Sequence, residues 1–157
     1  MTRMRLMCGL AGAGKSTYAR GLESQGWSRF SIDREVFAAG FTDAATVPSE
    51  IAADIQARQR AAIVAALRAG RDVVVDYAFW SRAERDDYRA LGRAQGADVE
   101  VVYLRAPEEL LRRRLRARRG DHADDLLVSA TLLERYLAGF EPPAPDESDV
   151  RVIDVVD

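Results

Sequence analysis

The sequence predicts an α/β domain: a parallel sheet with helices on both faces. Three observations carry the prediction. Short apolar runs alternate with helix-length segments from end to end, and successive strand candidates lie too far apart for hairpins. The run "DVVVDY" (72–77) is unbroken and β-branched, as in a strand buried on both faces. Between the first strand candidate and the first helix lies a glycine-rich loop, "GLAGAGKST" (9–17), where a helix N-terminus meets open backbone.

The elements follow in order. "RMRLMC" (3–8) is a short strand that ends at the glycine loop. Residues 15–25 form a helix with Tyr18, Ala19 and Leu22 at helical spacing, closed by Gly26. "WSRFSI" (27–32) alternates like a strand and ends at Asp33. Residues 38–50 are the one substantial stretch without a pattern before the end of the chain, a candidate mobile or substrate-facing segment. The longest helix is predicted over 49–69, where Ile51, Ile55, Ile63 and Leu67 make an apolar stripe and Gly70 stops it. After strand 72–77, Ser81-Arg-Ala-Glu84 is a capping box opening a helix that ends near Gly96. "DVEVVYL" (98–104) is the next strand, and Pro107 begins an arginine-rich helix running to about Arg119. A last helix over 129–138 is stopped by Gly139, and "DVRVIDVV" (149–156) is the final strand.

At 157 residues this is one domain, 1–157, with a single sizeable core. A net charge of −2 argues against a general nucleic-acid coat or a membrane-surface binder. No apolar run approaches the roughly 18 residues of a membrane span. The N-terminus does not read as a signal peptide, and one cysteine, Cys8, makes no internal disulfide, so a cytoplasmic protein is expected. Cys8 reads as a small core residue, and His122, in the acidic stretch "GDHADD", as a solvated one.

The loop matches G-x-x-x-x-G-K-[ST] at Gly9, Gly14, Lys15 and Ser16. Glycines let backbone N–H groups approach phosphate oxygens without a Cβ in the way. Gly12, Ala13, Gly14, Lys15, Ser16 and Thr17 are therefore the expected phosphate cradle, with the Lys15 ammonium on the β- and γ-phosphates and the Ser16 hydroxyl on Mg²⁺. Of 23 basic residues, Lys15 is the only lysine. A composition that elsewhere uses arginine keeps a compact point charge where a wide planar fork does not fit.

No asparagine occurs, so the chain has no Asn-Lys-x-Asp guanine-reading motif. Asp76 is followed by Tyr77 rather than by a water-polarising glutamate, which disfavours a motor-type hydrolase. What remains is a small kinase, which needs three further groups. Asp33, after the second strand, is the candidate general base for an acceptor hydroxyl; it also reads as an N-cap for 34–39. Asp76, ending an apolar strand, is the candidate metal carboxylate, acting through water. Of the six arginines in 112–119, Arg114 and Arg118 are i, i+4 neighbours able to converge on one anion, with Arg119 the replacement. The run also reads as a solvated helix face or a nucleic-acid patch.

The segments "GLAGAGKST", "SIDRE", "GRDVVVDYAFWSRAERDDYRALGRAQGADVEVVYLRAPEELLRRRLRARRG" and "FEPPAPDE" together resemble the small P-loop kinases of the AAA-33 type. These include polynucleotide 5′-kinases, zeta toxins and chloramphenicol phosphotransferase. The resemblance implies a P-loop NTPase fold with a five-stranded parallel sheet in the order 2-3-1-4-5, ATP with Mg²⁺, and phosphoryl transfer to a hydroxyl. It implies Asp33 as general base, Arg114 and Arg118 as a phosphate clamp on a lid spanning about 107–128, and the loop Phe140–Pro143, with Pro142, near adenine. "YAFWSRAER" departs from the asparagine-bearing segment of polynucleotide kinases and puts Trp80, Arg82 and Arg85 on that edge. The expected acceptor is therefore a small molecule such as an antibiotic, nucleoside or sugar. A polynucleotide 5′-hydroxyl kinase and a nucleotide-dependent switch without an acceptor are the alternatives. Phe79 and Trp80 read either as pocket or as packing residues.

Overall fold

In the computed structural model, which describes residues 1–156 and so leaves the last residue of the predicted domain outside it, strands and helices alternate as expected. The order is β1 (Arg3–Cys8), α1 (Lys15–Ser24), β2 (Ser28–Phe30), α2 (Ile32–Ala38), a 3₁₀ turn (Ala44–Thr46), α3 (Ser49–Arg68), β3 (Val73–Val75), α4 (Arg82–Ala94), β4 (Asp98–Arg105), α5 (Glu108–Arg116), α6 (Ala130–Gly139) and β5 (Val150–Asp154). The five strands form one sheet in the order β2-β3-β1-β4-β5, and every pairing is parallel. This is the P-loop NTPase sheet order that the resemblance implied.

Alternation along the central strand builds two cores. Met4, Leu6 and Cys8 point to one face, where Ile63 and Leu67 of α3 and Tyr88 and Leu91 of α4 cover them. Met7 points to the other, with Val74, Val102 and Leu104, under Ala19 of α1 and Leu111 of α5. Val73, Val74 and Val75 are wholly buried. Each such side chain contributes about 1.5–3 kcal/mol by leaving water, so the strand tolerates no polar residue until Asp76. A smaller cluster of Val36, Ile55 and Leu126 anchors the loop after α5 to α2 and α3.

Several boundaries differ from the sequence reading. The alternating run "WSRFSI" is cut at residue 31, because the Ser31 hydroxyl accepts the Arg34 N–H and caps α2. Asp33 is thus not the cap but sits in the first turn of α2. Helix α5 stops at Arg116, not at 119, where the chain turns into a loop gathered around Asp125. One Asp125 carboxylate oxygen accepts the N–H groups of Arg119 and Gly120 at 2.9 and 3.0 Å. Gly139 is the last residue of α6 rather than its stop. The 38–50 stretch is also ordered: Leu127 donates to the Thr42 carbonyl (2.8 Å) and accepts from the Ala44 N–H (2.9 Å), stitching the loop after α5 to the connection between α2 and α3.

The loop before β5 is held by an ion-pair network that the sequence did not disclose. Arg85, fully buried, clasps the Glu147 carboxylate at 2.9 and 3.1 Å and donates to the carbonyls of Phe79 and Glu141. Arg89 adds a bond to Glu147 at 2.8 Å. Arg82 pairs with Asp146 and Asp86. On the edge after β3, Arg82 and Arg85 therefore brace this loop. Burial alone would raise the Glu147 carboxyl, but Arg85, the Ala144 N–H and Arg89 outweigh it and hold the group at about 2. A depressed carboxylate stabilises the fold above its unfolded pKa, near 4.3, and that share is lost as pH falls toward 2. The melting-temperature gap between the natural chain and Glu147→Gln is expected to be several degrees at pH 6 and to shrink steadily below pH 4. A gap independent of pH would refute this account.

Candidate active site

At the carboxyl edge of the sheet lies a cavity of about 870 Å³ whose floor is the glycine loop. Gly9 has φ 145°, and a Cβ there would stand 2.8 Å from the Leu104 carbonyl oxygen. Gly14, at φ 99°, is the left-handed N-cap of α1, and no side chain caps that helix. The first-turn N–H groups of α1 therefore have no side-chain cap, the kind of helix start that suits an anion. Gly12, Ala13, Gly14, Lys15, Ser16 and Thr17 all line it. The Lys15 ammonium donates to the Leu10 carbonyl at 2.9 Å. Burial lowers its pKa, while the charges of Asp76 and Asp33 pull it back up.

The Ser16 hydroxyl donates to Asp76 Oδ2 at 3.1 Å, which joins the loop to the end of β3. The same oxygen receives two N–H bonds from Arg29 of β2, at 3.1 and 2.6 Å. Arg29 also reaches Asp124, on the loop after α5, at 2.7 Å, and Arg20 of α1 bonds the other Asp124 oxygen. The Arg29 and Asp76 side chains are 1% and 3% exposed. Burial would raise the Asp124 carboxyl, but Arg29 and Arg20 hold it below the ordinary carboxylate range. Neither Arg29 nor Asp124 was singled out from sequence. The signal available was an arginine inside an alternating strand run, where an apolar residue is the rule.

Asp33 lines the cavity across from the glycine loop, with its side chain open to cleft solvent. The surrounding protein pushes its carboxyl up, Lys15 pulls it down, and Asp76 raises it; solvent in the cleft screens all three. Arg114 donates to the Gly12 carbonyl at 3.1 Å and so lies over the loop. Arg118 lies beyond the end of α5, donates to the Leu126 carbonyl at 2.9 Å, and also lines the cavity. The two arginines meet there through the turn that ends the helix, not as neighbours on one helical face. Arg119 is exposed and is not among the lining residues, and the same holds for Pro142. Arg112 is taken up by Glu108 and Glu134.

Part of the cavity wall is aromatic. Phe79 adopts φ 48°, uncommon for a bulky residue, and its ring is buried against Tyr77 and Tyr88 with centroids 5.5 and 5.1 Å away. Trp80 packs on Tyr136 of α6 at 4.4 Å, and both Phe79, otherwise buried in the core, and Trp80 line the cavity. His122, expected to be simply solvated, is exposed but stands at the rim of the cavity. Glu84 and Tyr136 also line it, and neither was anticipated.

The sequence model of the AAA_33 family, an AAA domain, matches residues 4–143. No curated protein matches the chain. Among solved structures, a sugar kinase from Janibacter sp. HTCC2649 superposes with a TM-score of 0.70 at 24% identity, covering 98% of this chain and 86% of that one. A gluconokinase from Sinorhizobium meliloti 1021 gives 0.66 at 22% identity, covering 99% and 83%. The Mycobacterium tuberculosis APS kinase in complex with AMPPNP and APS gives 0.60 at 19%, covering 98% and 88%. At such identities the likeness carries the fold. Among the described residues, no helix is long and apolar enough to cross a membrane.

Proposed function

The chain belongs to the AAA_33 family, and from that premise we propose that it is an ATP-dependent phosphotransferase that moves the γ-phosphoryl group of ATP to a hydroxyl of a small molecule. The observation that carries the reading is that Lys15 and Asp33 face one cavity, coupled through their charges, with Arg114 and Arg118 at its edge. A phosphate-holding loop, an acceptor-facing carboxylate and flanking guanidinium groups are the parts that phosphoryl transfer needs. The kinase names of the structural neighbours agree with it.

In this reading the amides of 12–17 and Lys15 hold the β- and γ-phosphates. Asp33 accepts the proton of the acceptor hydroxyl as its oxygen forms the new O–P bond and the β,γ-bridging P–O bond breaks, releasing ADP. Arg114 and Arg118 offset the charge that spreads over the moving group. Ser16 and Asp76 supply a hydroxyl and a carboxylate, the oxygen-only donors that suit Mg²⁺ among waters and phosphates, and would hold that ion. When bound, it would neutralise charge on the β- and γ-oxygens. Arg29 fixes the Asp76 carboxylate from behind, leaving its orientation no freedom.

The basic run at 112–119 gives little support to a nucleic-acid patch. Arg112 is neutralised by acids, and Arg114 and Arg118 turn inward. Asp33→Asn is expected to cut kcat about 10²–10⁴-fold while ATP affinity changes by less than about threefold. Acceptor-dependent ADP release and a titration with a fluorescent ATP analogue check it. An unchanged kcat would remove Asp33 from the chemistry. A switch module would instead bind ATP with no acceptor stimulating ADP release.

A further inference from the structure

The acceptor half of the cavity has a charge pattern that its nucleotide half lacks. Asp33 and Glu84 both line it, and neither carboxylate takes part in a hydrogen bond or ion pair among the described residues. For Glu84 this contradicts the sequence pattern. In the capping box the Ser81 hydroxyl accepts the Glu84 N–H at 3.1 Å, but the Glu84 carboxylate does not return a bond to the Ser81 N–H. The residue lines the cavity instead. Burial and the nearby Asp87 charge push its carboxyl upward, against a weaker pull from Arg85. A carboxylate so placed gains most from an incoming cation.

Positive groups that an anionic acceptor would need are already engaged. Arg85 is closed around Glu147, Arg82 is paired with Asp146, Arg114 is bonded to the Gly12 carbonyl, and Arg118 is bonded to the Leu126 carbonyl with its charge offset by Asp33. His122 stands at the exposed rim. The remaining wall is Tyr77, Trp80 and Tyr136, ring faces that attract ammonium groups and cover apolar or sugar-ring surface. The Trp80 indole N–H is shielded from water and has no acceptor among the described residues. A ligand oxygen beside it would relieve an orphaned donor.

We infer that the acceptor is an amine-bearing alcohol, an amino sugar, aminocyclitol or arylethanolamine, whose ammonium group is held by Glu84 against the Trp80–Tyr136 wall while its hydroxyl faces Asp33. The inference rests on the phosphotransferase reading, and the test separates the two. ADP release is measured with D-glucosamine, streptamine and phenylethanolamine, each beside its N-acetyl form, and with D-glucose, D-gluconate and a 5′-hydroxyl oligonucleotide. At least one amine is expected to give a kcat/KM about tenfold or more above its N-acetyl form, and Glu84→Gln to bring that ratio to within about twofold of unity. Gln keeps the backbone cap, so folding is preserved. A preference for neutral or anionic acceptors, amines that fail while another alcohol is phosphorylated, or a ratio untouched by Glu84→Gln overturns the inference and leaves the kinase reading standing. No stimulation by any alcohol, with ATP binding intact, overturns both.

Discussion

Lys15→Ala is expected to lower acceptor-dependent ADP release by at least about a hundredfold and to leave the fold intact. The ammonium is the one lysine charge in a chain of 22 arginines, and it stands beside the Leu10 carbonyl on the floor of the cavity. Burial lowers its pKa, while the charges of Asp76 and Asp33 favour the charged form, so the lysine sits there at a desolvation cost that packing alone does not explain. Alanine removes that cost along with the charge, which is why melting should shift little while turnover collapses. Lys15→Arg is the sharper variant. It keeps the charge, but a planar fork does not reproduce the compact ammonium that bonds the Leu10 carbonyl. It should fail nearly as completely as alanine. Turnover within about tenfold of the natural chain in either variant would remove Lys15 from the phosphate site.

The parts of this molecule that were legible in the sequence are those set by local periodicity. Strand 3–8, the long helix ending before Gly70 and the buried valines at 73–75 each follow from residues adjacent in the chain. The glycine loop is legible for the same reason, since every residue of its motif lies within one turn and one helix start. The sheet order was not: "β3 beside β1" is a long-range fact, and it came from resemblance. Boundaries failed where a side chain competed with the pattern. Ser31 cut a strand run short by capping α2, and Asp125 ended α5 early by collecting backbone N–H groups.

The ion pairs were the hardest to foresee. Arg29 meets Asp76 across 47 residues and Asp124 across 95, with no spacing rule to betray either. With 22 arginines in the chain, composition does not distinguish Arg29, Arg85 and Arg89, which are buried, from their exposed counterparts. Glu84 was missed for the opposite reason: a local motif accounted for it, and only the geometry shows the carboxylate turning away from its expected partner.

Arg29→Ala is expected to cost about 3–5 kcal/mol of stability, because it leaves the Asp76 charge buried and uncompensated. For a chain of this size that corresponds to a fall in Tm of roughly 6–20 °C. The penalty belongs to the orphaned partner rather than to the lost bond, which makes it separable. Asp76→Asn in the same chain removes the buried negative charge, so Arg29→Met combined with Asp76→Asn should recover more than half of the loss suffered by Arg29→Met alone. Asp124→Asn is a further control: its carboxylate is more exposed than Asp76 and lies on the loop after α5, so it should loosen that loop at a cost nearer 1 kcal/mol. Differential scanning calorimetry of the four variants distinguishes the arrangements. If Arg29→Ala melts within about 2 °C of the natural chain, the carboxylate beneath Ser16 is held by something other than Arg29. If Arg29→Met melts far lower and Asp76→Asn restores it, the orphaned Asp76 charge accounts for the loss, and the guanidinium that fixes the acid at the end of β3 is the one that also bonds Asp124 on the loop after α5. Loop position and carboxylate orientation would then be set by one buried side chain.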